Sequence, residues 1–79
     1  MVRDFRRDDE GKMVMTAKGD MVGKIEQVES GRAHIKPHES LGRGTRRKLG
    51  WSGERETYEL RKANVDEITG EEVHLKEDI

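Results

Sequence analysis

Apolar residues in this chain recur in short runs, each closed by residues that favour turns. Lys12–Thr16 reads KMVMT, with Met13 and Met15 on one face and Val14 on the other, as a half-buried strand requires. Ala17–Asp20 makes a turn, and Gly19 is free to take the positive φ of a tight hairpin. Met21–Glu29 is the longest candidate. Its Val22, Ile25 and Val28 recur every three residues, a spacing that fits neither strict alternation nor a helical stripe. A helix here would carry Gly23 in its first turn, at about 1 kcal/mol relative to alanine. A strand with a bulge near Gly23 shifts the face by one residue and accounts for the pattern. Ser30-Gly31 is a two-residue turn into Arg32–Lys36, whose Ala33 and Ile35 point inward, and Pro37 ends that strand. The result is a three-strand meander from Lys12 to Pro37.

The alternation resumes at Glu56–Leu60, with Tyr58 and Leu60 on one face. It continues through a turn at Arg61–Asn64, a strand at Val65–Ile68, a tight turn at Thr69-Gly70 and a last strand, Glu72–Leu75, with Val73 and Leu75 inward. Six short strands with no helix long enough for a parallel crossover predict a mainly β fold. The sheet is antiparallel or mixed and curls into a small barrel. Glu56–Leu60 and Glu72–Leu75 are candidates for its edges.

Residues 38–55 interrupt this rhythm. Leu41 to Trp51 reads LGRGTRRKLGW: four cations, three glycines, two leucines and the chain's one tryptophan. Leu41, Thr45 and Leu49 share a helical face, Ser40 is the expected N-cap, and Gly50 suits the position just past the end. This predicts one short helical insert across Thr45–Leu49, before the fourth strand.

Composition changes the picture in two ways. Charged residues make up 42% of 79 and the hydrophobic set only 30%, yet the net charge is −1, so the prediction is a thin core under an ion-paired surface. A single core of this size supplies little net stability, which makes oligomerisation an expectation. The charge is also segregated. Residues 1–53 hold 12 Lys+Arg against 8 Asp+Glu (net +4), and residues 54–79 hold 4 against 9 (net −5). Opposite-signed halves pair within one fold or across a dimer, and they argue against a uniformly nucleic-acid-binding surface. Residues 1–11 read as a charged lead-in, a mobile terminus by default, in which Val2 and Phe5 are the residues able to pack on the domain. The domain proper is expected over 12–76, with 77–79 as a tail. With no cysteine, no apolar run of membrane-spanning length and no signal-peptide core, the expectation is a cytoplasmic protein.

Catalytic chemistry finds little support. His34, His38 and His74 are the only histidines; His34 and His38 would share a face only on a helix, and Pro37 lies between them, so structural roles outweigh a metal site. Ser30 and Ser40 sit in no recognisable nucleophile elbow, and Gly42-x-Gly44 lacks the rest of a dinucleotide or P-loop pattern. No catalytic residue, cofactor or metal is assigned. Arg43, Arg46, Arg47 and Lys48 with Trp51 are able to grip phosphate and stack a base. The acidic stretch that follows offers Glu54, Glu56 and Glu59 as counter-charges instead, and Trp and Arg are enriched in protein-interface hot spots. The favoured reading is an apolar cap built by Leu41, Leu49 and Trp51 that doubles as a protein interface. Its candidate residues are Leu41, Arg43, Arg46, Arg47, Leu49, Trp51 and Tyr58.

The succession Gly11-Lys12-Met13-Val14, Gly19-Asp20-Met21-Val22-Gly23-Lys24-Ile25, Tyr58-Glu59-Leu60, Val65-Asp66-Glu67-Ile68 and Val73-His74-Leu75 resembles the PRC-barrel domain. That small β-barrel is known from photosynthetic reaction-centre H subunits and from the ribosome-maturation factor RimM. With Lys48-Leu49-Gly50-Trp51 before the Tyr-Glu-Leu strand, the chain is similar to archaeal stand-alone PRC-barrel proteins, among them the archaeal cell division protein B family. The resemblance implies a non-enzymatic, dimeric adaptor, pairing with itself or a paralogue, that works with SepF in FtsZ-based division. It carries over no ligand or catalytic residues. The alternative it implies is an RNA- or ribosome-associated module of the ribosome-maturation type.

Overall fold

In the computed structural model, which describes residues 3–53 and 55–79, six strands form one curled half-barrel sheet with a single short α-helix beside it. The strands are β1 (Met13–Met15), β2 (Met21–Glu29), β3 (Arg32–Pro37), β4 (Tyr58–Leu60), β5 (Val65–Ile68) and β6 (Glu72–Leu75); the helix α1 (Arg43–Leu49) lies between β3 and β4. The sheet order is β4-β3-β2-β1-β6-β5. Every pairing is antiparallel except β1 with β6, so the sheet is mixed. That parallel pairing places β6 in the interior of the sheet. The edges are therefore β4 and β5, which corrects the expectation of a last-strand edge and retains the one for the fourth strand. The fourth strand begins at Tyr58, two residues later than its alternation suggests.

The irregular spacing in β2 has a double cause. Against β1, Val14 faces Gly23 and Met15 faces Met21, so Val22 is an extra residue, a bulge beside Gly23 as the pattern requires. Against β3, Ile25 faces Ile35 and Gln27 faces His34, so Glu26 is a second extra residue. Each insertion shifts the face by one, and Val22, Ile25 and Val28 all turn inward. Gly23 serves another purpose besides: a Cβ there would overlap the Lys36 carbonyl and lie 2.8 Å from Ile35 Cγ2. Gly23→Ala is therefore expected to force β2 and β3 apart and cost about 1–3 kcal/mol, the range of overpacked cores. A melting temperature equal to wild type would show that this close approach is not needed.

The core joins Val14, Val22, Ile25, Val28, Ala33, Ile35, Tyr58, Leu60, Val65, Val73 and Leu75 from the strands to Phe5, Leu49 and Trp51 from outside them. Phe5 is buried, so the lead-in is part of the fold rather than a loose terminus; Ile79, in the expected tail, also packs against the core. Val2, the other candidate in the lead-in, lies outside the described residues. Asp9 fastens this segment. Its carboxylate is fully buried and accepts from both Arg3 guanidinium nitrogens (2.8 and 2.9 Å), Lys12 Nζ (2.7 Å) and the Arg6 backbone N–H (2.8 Å). Lys12 Nζ also donates to the Thr69 carbonyl in the β5–β6 turn (2.7 Å), tying the lead-in to the far end of the chain. Glu10 adds a bond from the Val28 backbone N–H (2.9 Å), in the bulged half of β2.

Among the described residues no helix is long and apolar enough to cross a membrane.

Candidate functional site

The insert forms a cap over one end of the sheet. Its helix starts earlier than expected: Gly42, with extended backbone, is the N-cap residue. The Ser40 hydroxyl lies 2.7 Å from His38 Nδ1 and caps nothing. At the other end Gly50 adopts a left-handed conformation (φ 75°). The Gly50 N–H donates to the Arg47 carbonyl (3.1 Å) and the Trp51 N–H to the Arg46 carbonyl (2.9 Å), the paired bonds of a Schellman stop. This reversal turns the chain back on itself and sends Trp51 into the domain.

Trp51 is buried and stacks on Tyr58, with ring centroids 5.2 Å apart and planes inclined by 13°. Its indole N–H donates to the Glu59 carbonyl (3.1 Å) in the middle of edge strand β4, which satisfies both the ring's polar atom and an edge acceptor. The Tyr58 hydroxyl donates to the Gly53 carbonyl and accepts from the Arg55 N–H (3.3 Å), so the loop leaving the cap is held to the same ring. Leu49 is buried beneath the helix and Leu41 is half-buried against the core. The apolar cap anticipated for Leu41, Leu49 and Trp51 is present, and Tyr58 belongs to it.

The cations point elsewhere. Arg46 Cζ sits 5.8 Å from the Tyr58 ring centroid, a cation–π arrangement that orders its guanidinium. Arg43, Arg47 and Lys48 are exposed. Arg43, Arg46, Arg47, Trp51, Ser52 and Gly53 line a shallow recess of about 320 Å³. The expected pairing with Glu54, Glu56 and Glu59 is not found among the described residues. Glu54 lies outside them, Glu56 is exposed and pairs with none of the described residues, and Glu59 pairs instead with Arg32 (3.5 Å) across the β3–β4 ladder. The reason is register: β4 opposite β3 places Glu59 beside His34 and near Arg32.

The burial of both rings bears on ligand chemistry. Trp51 and Tyr58 are only 6% and 5% exposed, so neither offers a free face for a nucleobase to stack on. What the cap presents is one guanidinium ordered over a buried aromatic pair, that of Arg46, flanked by the exposed cations Arg43, Arg47 and Lys48. Elsewhere, His74 Nε2 lies 3.1 Å from Glu72 Oε1 and His38 meets Ser40, and no three potential metal ligands converge among the described residues.

Sequence reasoning missed the Asp9 cluster. Nothing separates Asp9 from Asp8 in the sequence; only the turn at Arg7–Asp9 swings one carboxylate under Arg3 and Lys12 and leaves the other exposed.

Fold and site together define a small, mainly β half-barrel domain whose one helical cap carries a cationic face. The chain belongs to a family of unknown function (DUF8593), whose model matches residues 5–75, a span that starts at Phe5 and thus includes the packed lead-in. No curated protein and no solved structure matches it.

Proposed function

We propose that this chain is a non-enzymatic protein–protein interaction module, a dimeric adaptor of PRC-barrel type in archaeal FtsZ- and SepF-based cell division. In this reading it is cytoplasmic and reaches the division site through a membrane-bound partner. The observation that carries the interaction role is the cap itself. Four cations on α1 make no salt bridge among the described residues, although residues 54–79 hold nine acids, and one of the four, Arg46, lies over the buried Trp–Tyr stack. An arginine ordered over a buried aromatic pair, with further exposed arginines beside it, has the makeup of an interface hot spot. The division role rests on the resemblance to archaeal stand-alone PRC-barrel proteins, and the curled six-stranded sheet supports it at the level of architecture.

Co-purification with SepF of the same organism tests the assignment. Wild type is expected to retain SepF. A wild-type chain that retains none removes the division role. The RNA- or ribosome-associated alternative would use the same arginines, but it loses its stacking platform with Trp51 and Tyr58 buried. It predicts RNA binding at ~50 mM salt that fades as salt rises.

A further inference from the structure

The cationic face of α1 and the acidic face of the chain lie on different sides of the sheet order. Residues 43–48 hold four cations and no acid, and they lead into edge strand β4. Residues 65–79 hold six acids (Asp66, Glu67, Glu71, Glu72, Glu77, Asp78) against the single cation Lys76, and they form β6 and the opposite edge strand β5. Strands β3, β2 and β1 lie between the two in the sheet. Among the described residues none of these ten groups makes a salt bridge with an Arg, Lys, Asp or Glu side chain; Glu72 lies 3.1 Å from His74 Nε2.

We infer that the α1 cationic face is one half of a self-association surface, and that its occupant is the acidic β5–β6 edge of a second copy of this chain. The inference rests on the dimeric reading above and names the surface it would use. A two-fold pair makes the contact twice, with each copy's helix meeting the other's acidic edge, so both charge sets are satisfied and the assembly closes. The chemistry of the two edges favours side-chain pairing over strand addition. The Trp51 indole already occupies an acceptor in the middle of β4, and β5 carries a register shift between Val65 and Glu67 with Asp66 and Glu67 exposed, features that discourage strand-to-strand docking. Arg46, ordered over Tyr58, pays less entropy on pairing than a free arginine would.

The test is charge reversal with complementation, read by multi-angle light scattering and sedimentation at 50 and 300 mM NaCl. Wild type is expected to be a dimer whose dissociation constant rises about tenfold or more between the two salts, because exposed pairs are screened over this range. Arg43→Glu/Arg47→Glu and Asp66→Lys/Glu67→Lys, all at exposed positions, are each expected to be monomeric alone and to form a dimer when mixed one to one. Circular dichroism checks that each folds. If a reversal unfolds, Arg47→Ala and Glu67→Ala replace the pair, each expected to weaken the dimer several-fold. A wild-type monomer at several hundred micromolar, a dimer unmoved by either reversal, a mixture that stays monomeric, or growth into open polymers would overturn the inference. A dimer indifferent to charge reversal leaves the adaptor reading intact and removes only this interface. Failure to retain SepF removes the division role and leaves the dimer contact standing.

Discussion

Trp51→Ala is expected to destabilise the domain by about 4 kcal/mol, the usual cost of deleting a large buried aromatic. The substitution removes the stack on Tyr58, the indole bond to Glu59 and a large member of the core cluster, and it opens a cavity at the edge of a thin core. A single core of this size rarely supplies more than about 3–5 kcal/mol, so much of the population should be unfolded near 37 °C. Trp51→Phe separates the contributions. It retains an aromatic stack but leaves the Glu59 carbonyl without its donor, for about 1–2 kcal/mol. Urea unfolding followed by far-ultraviolet circular dichroism measures both variants. If Trp51→Ala unfolds within 1 kcal/mol of wild type, the cap is an appendage and not part of the cooperative core.

A comparable loss, with a pH signature, belongs to Asp9. Its carboxyl is held well below the usual carboxylate range, first by the Arg3 hydrogen bond and then by Lys12 and the Arg6 N–H, which together outweigh the penalty of burial. The folded-state value is depressed, so the stabilisation is fully present above the ordinary aspartate value of about 4 and is lost as pH falls from there toward the folded value. Asp9→Asn should cost about 3 kcal/mol at neutral pH, because it leaves Lys12, whose side chain is only 11% exposed, without its carboxylate. The gap between wild type and Asp9→Asn should narrow steadily below pH 4. Thermal unfolding from pH 7 to pH 2 decides this, and a gap that stays constant across that range would show that Asp9 contributes as a neutral hydrogen-bond acceptor rather than as a charge.

Both predictions concern groups at opposite ends of legibility. Trp51 stands out in the sequence because it is the only tryptophan, it follows a helix-stop glycine, and it adjoins a leucine at helical spacing. Simple alternation places its partner Tyr58 on the strand face, and the two rings meet because the Schellman stop reverses the chain. Asp9 carries no comparable mark. It is one of four acids between Asp4 and Glu10, and its burial depends on a turn whose geometry local propensity does not specify. The helix boundary was similarly ambiguous: Ser40 has the better capping side chain, but its hydroxyl is engaged with His38, and the helix begins after Gly42.

The cations of the insert teach the same lesson about electrostatics. Sequence proximity made Glu54, Glu56 and Glu59 their natural partners. Strand pairing overrode proximity, since Glu59 is carried into the β3–β4 ladder beside Arg32. A charge is neutralised by what lies within a few ångströms, and in a sheet those neighbours are set by register rather than by chain order.

By itself the sequence determined the alternating strands, their turns, the bulge beside Gly23, the glycine stop at Gly50 and the apolar members of the cap. All of these follow from local rules: side-chain period, backbone freedom and the hydrophobic effect acting over a few residues. Only the tertiary structure decided that β6 lies inside the sheet and β5 at its edge, that Phe5 and Asp9 belong to the core, and that the arginines of α1 face outward without counter-charges among the described residues. Those outcomes depend on long-range pairing, above all the parallel contact of β1 with β6, which joins residues some sixty positions apart and leaves no periodic trace in either strand. The insert from Leu41 to Trp51 was legible as a cap from its own residues; that its basic side remains open to a partner was not.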